Sequence, residues 1–359
     1  MSKTEATILE AENLTAEQTE QINDLQESVQ HLIEKEVEAE KIQAAYDELI
    51  TVCFDLRQYD TAMDGLNYIR EHSSELDLND TQTAALHRRF GVAAFAKEEF
   101  DEAKIEFDKG IALAANDIDI ELEGKLLCDL GNIAAVKEEF SEAIELYEAA
   151  IEKNEAHEIQ QTAPYINLGL IYLKVQNISE AAECFEAALE IFDEEEELDR
   201  QEILHLQLGR IYDALNNDKD ALLNYHYASE LQEEGSEILG ETYVLMAGVL
   251  LGMAENGKAI EYYEKALPIV LEHGDIELKA EHYFQLANLY SRYDEDYETA
   301  IQYFENALEI AKTDEENEEW RNLMVAKLED SIEVNQENLS KFSKRKSKKS
   351  GLFGRLFGN

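Results

Sequence analysis

Apolar positions in this chain repeat along helical faces, and the repetition is visible by eye. Residues 100–111 read FDEAKIEFDKGI, 140–151 FSEAIELYEAAI, 178–189 ISEAAECFEAAL and 219–230 KDALLNYHYASE, with GKAIEYYEKAL from Gly257 and YETAIQYFENAL from Tyr297. Each carries an Ala, an aromatic four residues on and a small residue three further, steps that keep all three on one helical face. A second small residue stands twelve positions before the Ala: Gly91 before Ala103, Gly131 before Ala143, Gly169 before Ala181, Gly209 before Ala221 and Ala247 before Ala259. Ala287 precedes Ala300 by thirteen, which predicts one extra residue in the turn near Asp294–Asp296. Small residues at fixed points on paired helices let the backbones approach, with the aromatic filling the space beside them.

The anchor alanines Ala62, Ala103, Ala143, Ala181, Ala221, Ala259 and Ala300 are spaced by 41, 40, 38, 40, 38 and 41 residues. This pattern, with helices such as LGLIYLK from Leu168 and LGRIYDA from Leu208, resembles the tetratricopeptide repeat over residues 43–312. The spacing exceeds that repeat's usual 34, and the closing proline is largely missing, with only Pro268 near its place. It is similar to the forty-residue subclass of kinesin light chains, polarity-complex adaptors and bacterial peptide-sensing regulators. The first of seven units is degenerate, with Ile50 at the small position and Leu66 at the aromatic one, as an end repeat with one neighbour tolerates. The resemblance implies an all-α fold: a right-handed superhelical solenoid of antiparallel helix pairs with capping helices.

The expected organisation is an acidic N-terminal segment over 1–42, repeats over 43–314, a capping helix over 315–340 and a tail over 341–359. Thr15 and Gln18 form a capping box before Ile22, Leu25, Val29 and Leu32, a stripe that suits either a cap on the first repeat or a coiled-coil seam; its shortness favours the cap. Trp320, Leu323, Met324, Leu328 and Ile332 read as one stripe of the C-terminal cap.

Two Pro and sixteen Gly in 359 residues permit long helices, and no stretch is apolar enough for a membrane span. The polar, acidic start lacks a secretory signal's pattern, so a cytoplasmic location is expected. Cys53, Cys128 and Cys184 read as buried free thiols, and the eight histidines show no metal-ligand spacing. No GxGxxG, Walker, GxSxG or kinase signature stands in a supporting context, and the acidic run at 194–197 reads as solvated charge. The expectation is a non-catalytic protein without cofactor or metal.

The net charge of −49 disfavours nucleic acid as a partner, but the charge is divided. Residues 341–359 hold seven basic residues and no acidic one; the rest holds 24 basic and 80 acidic residues, a charge of −56. Lys341, Lys344, Arg345, Lys346, Lys348 and Lys349 lead into Leu352, Phe353, Arg355, Leu356 and Phe357. If helical, this tail puts its four apolar side chains on one face and Arg355 on another. It resembles the basic amphipathic membrane-targeting peptide that closes the Min-system ATPase of bacterial division. Partial burial of the four would contribute roughly 3–6 kcal/mol, with up to about 1 kcal/mol per basic residue near an anionic leaflet. Gly351, Gly354 and Gly358 argue that helix formation accompanies binding. The tail also suits docking on another protein, on the chain's own acidic surface, or no partner at all.

For the repeats, the resemblance implies a concave groove lined by the first helix of each pair. Counting from the small residues, its positions include Arg88, Lys125, Asn132, Asn167, Arg210, Asn288 and Arg292. Amides there suit a peptide backbone and guanidinium groups suit carboxylates. The two-carboxylate clamp of chaperone-binding members is incomplete, since Val92 holds its first Asn position. The expected function is a scaffold or adaptor binding a protein or peptide, with the tail recruiting it to the inner face of the cytoplasmic membrane. The alternatives are a soluble peptide-responsive regulator, though 1–45 carries no DNA-reading helix pair, and an assembly chaperone for a basic client. The oligomeric state stays open.

Overall fold

The computed structural model describes residues 14–35, 37–117, 119–192 and 198–357, excepting the side chains of 115–117, 198–200, 294 and 345–357. Every regular element among these residues is a helix, and the chain divides into two compact units, 1–191 and 192–359.

Unit one opens with α1 (Ala16–Glu34), whose Thr15–Gln18 capping box forms as expected. Four antiparallel pairs follow: α2 (Ala39–Asp55) with α3 (Tyr59–Glu71), α4 (Asp80–Ala96) with α5 (Phe100–Asp117), α6 (Ile120–Val136) with α7 (Phe140–Ala156), and α8 (Ala163–Lys174) with α9 (Ile178–Ile191). The first member of each pair is helix A, the second helix B. Ile22 and Val29 of α1 are buried on Leu49, Ile50, Cys53 and Leu66, so α1 packs as a cap on the degenerate repeat. In that repeat the missing small residue is answered by a new one: Ile50 and Leu66 are both buried, and a Cβ on Gly65 would lie 2.8 Å from the Tyr46 ring.

Unit two comprises α10 (Leu198–Ala214) with α11 (Asp218–Leu231), α12 (Glu237–Gly252) with α13 (Asn256–His273), and α14 (Ile276–Leu289) with α15 (Tyr297–Ala311), then α16 (Glu318–Phe357). The extra residue of the last repeat is not a looser turn. It is absorbed at the end of helix A as a π-helical turn, Tyr290–Asp294, closed by a bond from the Asp296 amide to the Tyr290 carbonyl (3.1 Å).

Helix A and helix B meet where the sequence placed its small and aromatic residues. A Cβ on Gly131 would stand 2.5 Å from the Tyr147 ring, and one on Gly209 2.4 Å from Tyr225. Only glycine allows this approach, and both rings are buried. A second helix A to helix B contact differs from repeat to repeat: His87 bonds Glu106 (2.6 Å), His205 bonds Asn224 (2.9 Å), and Tyr243–Tyr262 and Tyr283–Tyr303 are ring pairs 5.8 and 5.9 Å apart.

The turns from helix A to helix B share one geometry. Arg57, Glu98, Glu138, Gln176, Asn216, Ala254 and Glu295 take the left-handed conformation, although none is glycine. Bonds such as Glu99 N–H to Ala94 O (2.9 Å) and Asn177 N–H to Tyr172 O (2.7 Å) close the preceding helix and hold the turn against a cost of roughly 1–2 kcal/mol per residue.

Helix α16 closes unit two. Met324 and Leu328 are buried with Phe284 and Phe304, and Trp320 and Ile332 pack beside them, as the apolar stripe predicts. Leu323 departs from that stripe: it is 68% exposed, because it points away from α15. The helix also does not stop near 340. Its backbone runs unbroken to Phe357, where the glycines and basic residues suggested a linker; the packed turns supply the nucleus from which a helix extends.

Candidate binding face

The residues chosen for the groove do lie on helices A, and most are already engaged by neighbouring helices. In unit one, Asp47 of α2 accepts from Arg89 of α4 (2.7 Å). Arg88 of α4 donates to both carboxylate oxygens of Asp129 on α6 (2.6 and 3.4 Å). Asn132 of α6 accepts at Oδ1 from Asn167 of α8 (2.8 Å) and from the Tyr147 hydroxyl (2.8 Å), and Asn167 also reaches the Cys128 thiol (3.5 Å). Lys125 pairs with Glu121 on its own helix (2.5 Å). In unit two, Arg210 of α10 pairs with Glu241 of α12 (2.6 Å), and Asn288 donates to the Phe284 carbonyl (2.9 Å). Arg292 is exposed on the π-helical turn and has no side-chain partner among the described residues.

These bonds form a ladder from one helix A to the next, in which the Arg88 and Arg210 guanidinium groups each hold a carboxylate of a neighbouring helix A. Burial pushes the Asp129 carboxyl up despite the opposing pull of Arg88, so the aspartate is the desolvated member, while the Arg88 side chain stays 34% exposed. A pair of that kind adds little net stability and fixes which groups must face each other. The partners Asp47, Asp129 and Glu241 were missed in the sequence. Each sits one repeat away from the residue it holds, and only stacking brings them together.

What the ladder leaves toward solvent in unit one is mixed in character. The Asn132 Nδ2 and Asn167 Oδ1 atoms have no partner among the described residues, giving one amide donor and one acceptor on successive helices. Beside them Val92 is half-buried, and Val136 and Leu170 are 48% and 45% exposed. Three orphaned polar side chains lie deeper, Gln232 of unit two among them. Asn154 in unit one and Tyr225 in unit two are buried without side-chain partners among the described residues. Tyr225 matches Tyr147 in position, but Arg210 stands where Asn132 would accept its proton.

Cys53 and Cys128 are buried free thiols; Cys184 is half-buried, less enclosed than the sequence suggested. Burial raises Cys53 to about 11 and Cys128 to about 12, which keeps both protonated. Among the described residues no three His, Cys, Asp or Glu side chains are grouped to hold a metal, and no helix is long and apolar enough to cross a membrane. Of the tail, Lys344 is exposed; the side chains of Arg345, Lys346, Lys348, Lys349, Leu352, Phe353, Arg355, Leu356 and Phe357 lie outside the described residues, as does the acidic run 194–197.

Comparison with known proteins agrees with this geometry. Tetratricopeptide-repeat family models match residues 163–194 and 238–313. Among solved structures, the chain is similar to the C-terminal part of a TPR repeat-containing protein from Cytophaga hutchinsonii, with 17% identity, a TM-score of 0.56, and coverage of 79% of this chain and 98% of that one. It is also similar to pilF of Pseudomonas aeruginosa, with 16% identity, a TM-score of 0.50, and coverage of 67% and 95%. At such identities these likenesses speak to the fold alone. The comparison with curated proteins found no match. The matched segments, together with helix pairs of one geometry on either side of them, support a tetratricopeptide-repeat protein.

Proposed function

We propose that the protein is a non-catalytic adaptor that binds an extended segment of another protein along the helix A face of unit one and attaches through its tail to an anionic membrane surface, the inner face of the cytoplasmic membrane. Stacked repeats of this family generally present such faces to protein partners. The observation that carries the reading is the pairing of Asn132 and Asn167. Their mutual bond orients one free amide donor and one free acceptor, the complement of a peptide unit, beside exposed Val136 and Leu170. The bound segment would supply apolar side chains to those two residues. Basic flanks would suit a protein of net charge −49. Because Arg88 is held by Asp129, a terminal carboxylate is not its main anchor.

The test is selection of peptides from a display library against the full chain. Enriched sequences should combine apolar and basic residues, and Leu170→Glu should weaken their binding by about tenfold or more. Peptides that bind the Leu170→Glu chain equally well would show that the face is not used. For the tail, flotation with anionic vesicles compares the full chain with one ending at Ser340; equal flotation would sink the membrane role.

A further inference from the structure

Between α7, α8 and α9 of unit one lies an open cavity of about 310 Å³, within the size range of small-ligand sites. The repeat pattern explains why it is there. Four residues before the small residue of helix A, and three after the anchor alanine of helix B, stand the facing pairs Tyr243–Tyr262 and Tyr283–Tyr303, whose rings fill this place in two later repeats. The matched residues of α8 and α9 are Tyr165 and Cys184. A thiol where those repeats carry a second ring leaves the space open.

The cavity has an apolar floor and a charged rim. Leu168 is buried, and Ile151 and Cys184 are half-buried. Around them stand Glu148, Glu152 and Glu155 of α7 and Glu183 of α9, all exposed. Two of the four are held by phenols: Tyr165 donates to Glu155 Oε1 (2.6 Å) and Tyr172 to Glu148 Oε1 (3.1 Å). The second oxygen of each has no partner among the described residues, and no lysine or arginine among them pairs with any of the four. Neighbouring helices differ, since Glu106 of α5 holds Lys109 and Glu123 of α6 holds Lys153.

At about 3.6 residues per turn, Tyr165, Leu168 and Tyr172 share one face of α8, and Asn167 and Leu170 the opposite one. The cavity is therefore separate from the face that carries the Asn132–Asn167 pair.

Four negative charges with no positive one among them call for a cation. Among the described residues no three acidic, His or Cys side chains are grouped to share a metal ion, so these carboxylates suit a cation with several spaced donors rather than a point charge. The apolar floor calls for a hydrocarbon stem behind that charge. A guanidinium meets each demand: it is planar, offers five donors in a fork that matches a carboxylate, and is more weakly hydrated than an ammonium.

We infer that this cavity is a docking pocket for an arginine side chain presented by a basic segment of another protein. The arginine stem lies on Ile151 and Leu168, and its guanidinium donates to the rim carboxylates. Charge complementarity selects the occupant, in a chain whose net charge is −49.

Methyl-labelled full-length chain, titrated with the capped tripeptide Gly-Arg-Gly and followed by NMR, tests this. The Ile151 and Leu168 methyl signals should shift to saturation, with the capped Gly-Lys-Gly peptide and spermidine each binding about fivefold or more weakly. Glu148→Gln combined with Glu155→Gln should weaken the arginine peptide about fivefold. Both sites are exposed, so the packed core is untouched. Cys184→Tyr, which supplies the ring found in the later repeats, should abolish the shifts, and circular dichroism checks that its helices persist. Shifts that fail to saturate overturn the inference, as does binding indifferent to the two glutamine changes. Equal or tighter binding of the lysine peptide or of spermidine also overturns it, because the cavity then belongs to amines.

Discussion

Tyr147 and Tyr225 occupy the same place in two repeats, each filling the space over a helix A glycine, yet their hydroxyls meet different fates. The first donates to Asn132; the second is buried with no partner among the described residues. Tyr147→Phe should therefore cost about 1 kcal/mol in urea unfolding, while Tyr225→Phe should be neutral or slightly stabilising, since it removes an unpaired buried hydroxyl. His282 is a second residue with a definite sign. Buried and bonded to the Tyr263 carbonyl (2.8 Å), it is held below its ordinary value of 6.5 by desolvation, the carbonyl opposing. Neutral His282 suits the folded state and the unfolded chain takes up the proton more readily. Its contribution is complete above about pH 6.5 and is lost as the pH falls from there toward the folded value. Urea unfolding at pH 7 and pH 5 should show a smaller loss for His282→Gln than for the parent chain.

At the scale of elements, α16 is held by polar as well as apolar contacts. Asn335 is 4% exposed, accepts from Ser291 and donates to the Ser331 carbonyl. Asn335→Ala should cost about 1–3 kcal/mol by leaving Ser291 unpaired, whereas Leu323→Ser, at an exposed site, should change stability little in the same unfolding measurement. The contrast marks what the sequence conveys. The helix pairs and the glycine–aromatic contacts were legible because each follows from spacing within forty residues. The outward turn of Leu323 was not, since Trp320, Leu323, Met324 and Leu328 fall on adjoining faces and only the position of α15 decides between them. The π-helical turn was legible as a count of one extra residue but not as a hydrogen-bonding pattern. The position of Arg88 on a helix A was legible and its partner was not: Arg88 looks free until Asp129, forty-one residues on, is stacked beside it.

For the whole molecule, the contacts between helices A and B that vary from repeat to repeat have a consequence for how the chain reaches its fold. Helices this alike invite a growing chain to mate the wrong partners, a hazard of repeat architectures. The glycine–aromatic contact cannot prevent that, because it is shared by several repeats. His87 with Glu106, His205 with Asn224, and the tyrosine pairs Tyr243–Tyr262 and Tyr283–Tyr303 are contacts of three kinds, and helices of different kinds are not interchangeable. Mating α4 with α13 would set His87 against Tyr262 and strand Glu106 without its imidazole; mating α14 with α5 would press Tyr283 on a carboxylate. Helices A of these three kinds thus carry an identity that a helix B of the same kind recognises, and kinetic traps built from hairpins shuffled between kinds lie uphill of the correct one.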